Sequence, residues 1–243
     1  MPSPWSFQFA WPELIVVGLL SAAYARAYSA HPASRVRVAC FAASMLLVVT
    51  VLVTPLATLA LHYLVVAHLL QNVVLAEWAP ALAVLGLSAG MAMAIGRAPG
   101  IRHVTQPLVA LPLWLVTYAV WHIPAVYEGA LRHGPLLFFE HATYFAAGAV
   151  FWWPVLRAEP RDVPSGAKAA YLFAAFVFAS PVGLLFAVLP RPVYDFYVDA
   201  PRIWGIEPLW DQQLGGILMA GSEAVVFFAA FVFYFARFVA EES

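Results

Sequence analysis

The stretch HYLVVAHLLQNVVLAE, residues 62–77, decides how this chain folds, because it is an apolar helix carrying polar, metal-capable side chains. His68 and Asn72 are four residues apart, so a rotation of about 100° per residue places them on one face. His62 lies about 120° from His68 around the helix axis. Its imidazole can reach the same face only if the first turn of the helix is irregular or the side chain bends toward that face. An ionisable side chain inside a bilayer needs a partner, which makes His68 a functional candidate. The alternative is a packing contact with a neighbouring carbonyl group.

The composition indicates an integral membrane protein. Hydrophobic residues make up 64% of the 243 residues and charged residues 10%, whereas soluble domains have about 25% charged residues. At about 20 residues per span, the apolar stretches can form six to eight helices and leave no room for a separate soluble domain. We therefore expect one transmembrane helical domain, residues 1–243. The N-terminus lacks the basic region of a signal peptide, so we expect the first helix to be retained. The single cysteine forms no internal disulfide, and the net charge of -1 gives no indication of a nucleic-acid partner.

We predict an all-α bundle of seven transmembrane helices. Pro55 breaks the chain before the third helix, and Pro80 is expected to end it. Residues 79–95 are ambiguous, being either a dipping or interfacial segment or partly an extension of the third helix. The predicted spans are approximately residues 13–28, 36–53, 56–78, 104–122, 136–156, 167–189 and 214–239.

The basic residues predict the orientation, because short cytoplasmic loops collect Lys and Arg. With seven spans and the N-terminus outside, nine of the 12 Lys and Arg residues lie on the inner side and three on the outer side. An eighth span at residues 79–95 would give six on each side. We therefore predict that the N-terminus is outside and the C-terminus is cytoplasmic, in a multi-pass protein of the inner cell membrane.

This topology brings polar residues from four helices into the outer half of the bundle. Imidazole suits copper, thioether sulfur selects Cu(I), and a carboxylate beside a ligand histidine fixes its tautomer. The predicted metal ligands are His62, His68, His122, His141 and Met219. The predicted residues around them are Asn72, Glu140, Asp211 and Glu223.

Several of these residues and their neighbours also have a purely structural interpretation. Trp121 and His122 could form an interfacial pair, since Trp gathers at that depth. Glu140 and Asp211 could be helix N-terminal charges favoured by the macrodipole. The pair Gly215-Gly216 favours close helix packing over chemistry.

Several short motifs follow one another along the chain. In chain order they are AHLLQN at 67–72, WHIPAVY at 121–127, EH at 140–141, FWWP at 151–154, PRPVY at 190–194 and DQQLGG at 211–216. Together they resemble the motifs of the CtaG group of cytochrome c oxidase assembly proteins, and the resemblance covers approximately residues 56–237.

The resemblance implies a seven-helix protein that helps to build a haem-copper oxidase of the respiratory chain by supplying copper. One departure concerns Asn72, which stands where the family has its second histidine and is a poor ligand for a soft metal. Either His62 replaces that ligand, or this chain binds copper weakly or not at all. We expect a factor that binds Cu(I) near the outer membrane face and delivers it to an oxidase subunit. Its partners would be oxidase subunits, the lipid bilayer and further copies of itself.

The residue pattern also allows other functions. Paired histidines could bind haem in an electron-transfer protein, which would show a Soret band. A proton-coupled transporter could use Glu77, Glu223 and the histidines as a relay. A scaffold for oxidase subunits would need no metal. No nucleophile and base pair stands out, so we expect no enzyme activity.

Overall fold

The computed structural model describes residues 1–242, which fold into helices without a β-strand in that range. We number the α-helices in chain order and name the π-helical segment separately. The helices are α1 (Trp11–Ala30), α2 (Arg35–Val53), α3 (Pro55–His62), α4 (Val65–Val73), the π-helical segment (Val74–Trp78), α5 (Ala79–Gly86), α6 (Ala89–Gly96), α7 (Pro99–Val104), α8 (Pro107–Trp121), α9 (Pro124–Arg132), α10 (Gly134–Leu156), α11 (Ser165–Val188), α12 (Asp195–Val198) and α13 (Pro208–Glu242).

Several helices are long and apolar enough to cross a membrane, which indicates a membrane protein. Four qualify by length and composition, and a fifth does if the bent pair of α8 and α9, which meet at 72°, counts as one span. The four are α2, the continuous run from α4 to α5, α11 and α13.

The third predicted helix, residues 56–78, differs from the prediction in its interior and at its C-terminal end. It breaks at Tyr63 and Leu64, and a new helix begins at Val65. Pro80 does not end this helix, which continues through the π-helical segment to Gly86. The expectation that part of residues 79–95 extends the third helix is confirmed for α5, and α6 covers most of the rest.

The π-helical segment explains how the helix tolerates Pro80. Proline has no backbone N–H, so a carbonyl group in the preceding turn loses its usual donor. Indole groups of neighbouring helices take up the carbonyl groups here: Trp114 Nε1 donates to the Ala76 oxygen at 3.3 Å, and Trp152 Nε1 donates to the Glu77 oxygen at 2.9 Å. The sequence-based expectation failed because these partners are remote in the chain.

The break between α3 and α4 is fixed by Asp211 at the start of α13. Its carboxylate accepts hydrogen bonds from the backbone N–H groups of Val65 at 2.7 Å and Val66 at 3.0 Å. These are first-turn donors, which have no partner within the helix. Asp211 therefore stabilises the N-terminus of a helix other than its own.

Glycines allow the long helices to pack closely, as predicted for Gly215-Gly216. A Cβ atom at Gly216 would lie 2.5 Å from the Gly183 carbonyl oxygen of α11, and one at Gly215 would lie 2.6 Å from Leu69 Cδ1. A Cβ atom at Gly148 of α10 would collide with the Ala76 carbonyl oxygen. The glycines thus bring α11 and α4 against α13, and α10 against the π-helical segment.

Candidate metal centre

His68 is fully buried on α4, and its hydrogen bonds define its tautomer. Tyr197 donates its hydroxyl proton to the Ala60 carbonyl oxygen at 2.6 Å. The Tyr197 oxygen therefore accepts from His68 Nδ1, 3.2 Å away. His68 Nε2 then carries a lone pair, and it is buried without a hydrogen-bond partner. The ring packs against Tyr127, with a centroid separation of 4.8 Å.

His122 has the same arrangement at the bend between α8 and α9. Its Nδ1 lies 2.7 Å from the Tyr118 carbonyl oxygen, which can only accept, so Nδ1 carries the proton. Its Nε2 is buried and has no hydrogen-bond partner. Tyr194 donates to the His122 carbonyl oxygen at 3.2 Å. The bend therefore holds the imidazole in one orientation with a free lone pair.

Glu140 of α10 lies against His68. Asn72 donates through Nδ2 to Glu140 Oε1 at 3.1 Å, and the same oxygen lies 3.5 Å from His68 Nε2. Glu140 Oε2 and Asn72 Oδ1 are buried without hydrogen-bond partners. His122 is within electrostatic range of both Glu140 and His68. A carboxylate thus faces an imidazole lone pair, an arrangement that a cation or a proton would stabilise.

His141 faces away from this group. Its Nδ1 lies 3.0 Å from Glu13 Oε1 of α1, and both side chains are largely buried. Consecutive helical residues are about 100° apart, so Glu140 and His141 project in different directions. His141 and Glu13 line a cavity of about 550 Å³, together with residues of α2, α3 and α10 and with Gln71 of α4. His141 Nε2 is also buried without a partner.

The other predicted residues have contacts of their own. His62 is half-buried at the end of α3, with its ring 6.5 Å from that of Tyr63. Met219 is buried where α13 meets α11, its Cβ atom 3.1 Å from the position of a Cβ at Gly183. Glu223 accepts a hydrogen bond from the Tyr118 hydroxyl group at 2.9 Å.

The structure therefore brings some of the predicted residues together and separates others. His68, Asn72 and Glu140 are in contact, and His122 lies within electrostatic range of His68 and Glu140. Asp211 caps α4. Between residues 1 and 242, no group of three or more His, Cys, Asp or Glu side chains could hold a metal ion without rearrangement.

Sequence reasoning missed Glu13 and the tyrosines that hold the histidines. Glu13 is the only acidic residue of α1, and a carboxyl group in an otherwise apolar helix is a signal that could have identified it. Tyr197 and Tyr118 carried no such signal, because a tyrosine is usually a packing residue and neither lies in a motif rich in metal ligands. Tyr127 adds a buried hydroxyl group without a partner next to His68.

The comparisons with known proteins identify the family. The profile of the cytochrome c oxidase caa3 assembly factor, Caa3_CtaG, matches residues 18–241. The chain belongs to this family. The resemblance to CtaG proteins expected from the sequence is thereby confirmed. No curated protein and no solved structure matches the chain.

The candidate centre of this Caa3_CtaG protein is compatible with a monovalent soft metal. Imidazole nitrogen is a ligand for copper as well as for zinc, iron and nickel. The Glu140 carboxyl group adds an oxygen ligand 3.5 Å from His68 Nε2. Asn72 does not replace a soft ligand, but its amide group orients Glu140.

Proposed function

We propose that this assembly factor holds Cu(I) between His68 and His122 and passes it to a subunit of a haem-copper oxidase. The proposal rests on the hydrogen-bonding arrangement that the two imidazole groups have in common. In each, Nδ1 is bound to an oxygen acceptor and Nε2 is a buried, unpartnered lone pair. Ligand histidines usually have this arrangement, with the second nitrogen donating to a carbonyl or other acceptor.

In this proposal the remaining residues serve capture and release. Glu140 balances the charge of the cargo. His141 and Glu13, beside the large cavity, form a second position that Cu(I) occupies on its way to or from the buried pair. His62 and Met219 are further ligands only if α3 or α13 shifts, since their present contacts lie elsewhere. In this role the protein would not be an enzyme, because the transfer of Cu(I) converts no substrate.

We further propose seven spans, with the N-terminus outside and the C-terminus cytoplasmic. α1 has 20 residues and α10 has 23, enough at 1.5 Å per residue to cross about 30 Å. Together with the bent pair and the four apolar helices they make seven. The distribution of Lys and Arg supports this orientation, which places His68 and His122 in the outer half of the bundle.

A cellular experiment tests the delivery of copper. Cells that depend on the caa3-type oxidase and carry the double variant His68→Ala/His122→Ala should retain oxidase polypeptides and haem but lose oxidase turnover in copper-limited medium. Added copper should restore part of the activity, since the defect is one of supply. The matched control is His133→Ala, which removes an exposed histidine.

Full oxidase activity of the double variant at normal expression would refute the proposal. The protein would then act as a scaffold for oxidase subunits. A lost activity that copper does not restore would also contradict a role in supply.

A further inference from the structure

A second buried polar cluster lies deeper in the bundle, around Glu77 and Glu223. Glu77 lies in the π-helical segment and Glu223 on α13, and both side chains are fully buried. Ser222 donates to Glu77 Oε2 at 3.3 Å, and Tyr118 donates to Glu223 Oε1 at 2.9 Å. The two carboxyl groups are within electrostatic range of each other. Two acidic groups from different helices thus meet inside an apolar bundle.

Each carboxyl group has one oxygen without a hydrogen-bond partner. These atoms are Glu77 Oε1 and Glu223 Oε2, and the buried Ser180 hydroxyl group of α11 lies beside Glu223. The other titratable groups facing the pair are Tyr118 of α8 and, next to it, Tyr144 of α10. In the described part of the chain, neither carboxyl group forms a hydrogen bond or ion pair with Lys, Arg or His. The pair therefore lacks a positive charge to balance it.

The chemistry of the free oxygens distinguishes the possible ligands. Hard divalent cations need about six to eight oxygen ligands, and the unengaged oxygens described near the pair are fewer: the two free carboxyl oxygens and the hydroxyl oxygens of Ser180 and Tyr144. A bound proton needs only the oxygen that carries it and a second oxygen that accepts its hydrogen bond. Two neighbouring carboxylates away from water also repel each other strongly. The geometry therefore favours a proton over a metal ion.

We propose that Glu77 and Glu223 form a proton-binding site that retains a proton at neutral pH. The π-turn that accommodates Pro80 positions Glu77 toward α13. Neither carboxyl group has a described hydrogen bond to His68 or His122, so this site does not depend on the proposed copper function. Tyr118 links the two, because its hydroxyl group donates to Glu223 and its carbonyl group accepts from His122.

Infrared difference spectroscopy of the purified protein in lipid nanodiscs tests this site. At neutral pH, exchange from H2O to D2O should shift a band in the carbonyl-stretching region of protonated carboxyl groups. The band should survive in Glu140→Gln, which removes another buried carboxyl group, and in the exposed control Glu207→Gln. It should be absent from the double variant Glu77→Gln/Glu223→Gln.

Glutamine has the shape of a protonated glutamate, so the double variant should fold, which its thermal unfolding can verify. A band that persists in the double variant, or no such band in the wild type, would overturn the proposal. Loss of the wild-type band on addition of Ca²⁺ or Mg²⁺ would also overturn it, by indicating a cation site.

Discussion

Replacing Asp211 by alanine should destabilise the fold without altering the candidate metal centre. The carboxylate of Asp211 is the acceptor for the N–H groups of Val65 and Val66, and its side chain is almost completely buried. Each buried donor left without a partner costs about 1–3 kcal/mol, and a lost N-cap costs about 0.5–2 kcal/mol. We expect the free energy of unfolding to fall by about 2–4 kcal/mol.

The assay is thermal unfolding of the purified protein in detergent, with Asp199→Ala as the control because Asp199 is exposed. At about 2–4 °C per kcal/mol for a chain of this size, Asp211→Ala should lower Tm by about 4–16 °C. The Tm of Asp211→Asn should lie between those of the wild type and Asp211→Ala, because the amide retains one acceptor oxygen. The folded Asp211→Ala protein should keep its Cu(I) affinity. Equal Tm values for Asp211→Ala and Asp199→Ala would refute the capping role, and a selective loss of Cu(I) affinity would make Asp211 part of the copper path.

Three further predictions follow from the packing and topology. Tyr197→Phe should lower Cu(I) affinity about 10–100-fold, as loss of a group that orients a ligand histidine typically does; an unchanged affinity in competition titration would contradict this. Gly148→Ala should lower the free energy of unfolding by about 1–3 kcal/mol, because the added methyl group clashes with Ala76. Gly221→Ala, whose added methyl group meets open space, should leave the stability of the protein unchanged. Equal stability of the two variants in chemical denaturation would argue against the close packing. Reporters fused after Gly100 and within residues 201–208 should read cytoplasmic and external respectively, and identical readings would exclude seven spans.

The helical periodicity of residues 62–77 predicted part of the candidate centre. It placed His68 and Asn72 on one face, and the structure has both side chains at Glu140. Periodicity works here because helix geometry fixes which residues share a face. The packing role of Gly215 and Gly216 was predictable for a similar reason, since small residues allow helices to approach.

Features that depend on distant residues could not be predicted in this way. The π-turn before Pro80 requires indole donors from α8 and α10, and no local pattern encodes them. The contact between His141 and Glu13 joins residues 128 positions apart. The sequence motif placed Glu140 and His141 together, but adjacent residues on a helix face different neighbours, so the structure separates them.

The most direct test of the central claim is a competition titration of Cu(I) against a chromophoric chelator, with purified wild type and the single variants His68→Ala, His122→Ala and His133→Ala. We predict one Cu(I) per wild-type chain, a loss of affinity of at least about tenfold in His68→Ala and His122→Ala, and wild-type affinity in the exposed control. Wild-type affinity in both His68→Ala and His122→Ala, or no Cu(I) binding by the wild type, would contradict the claim.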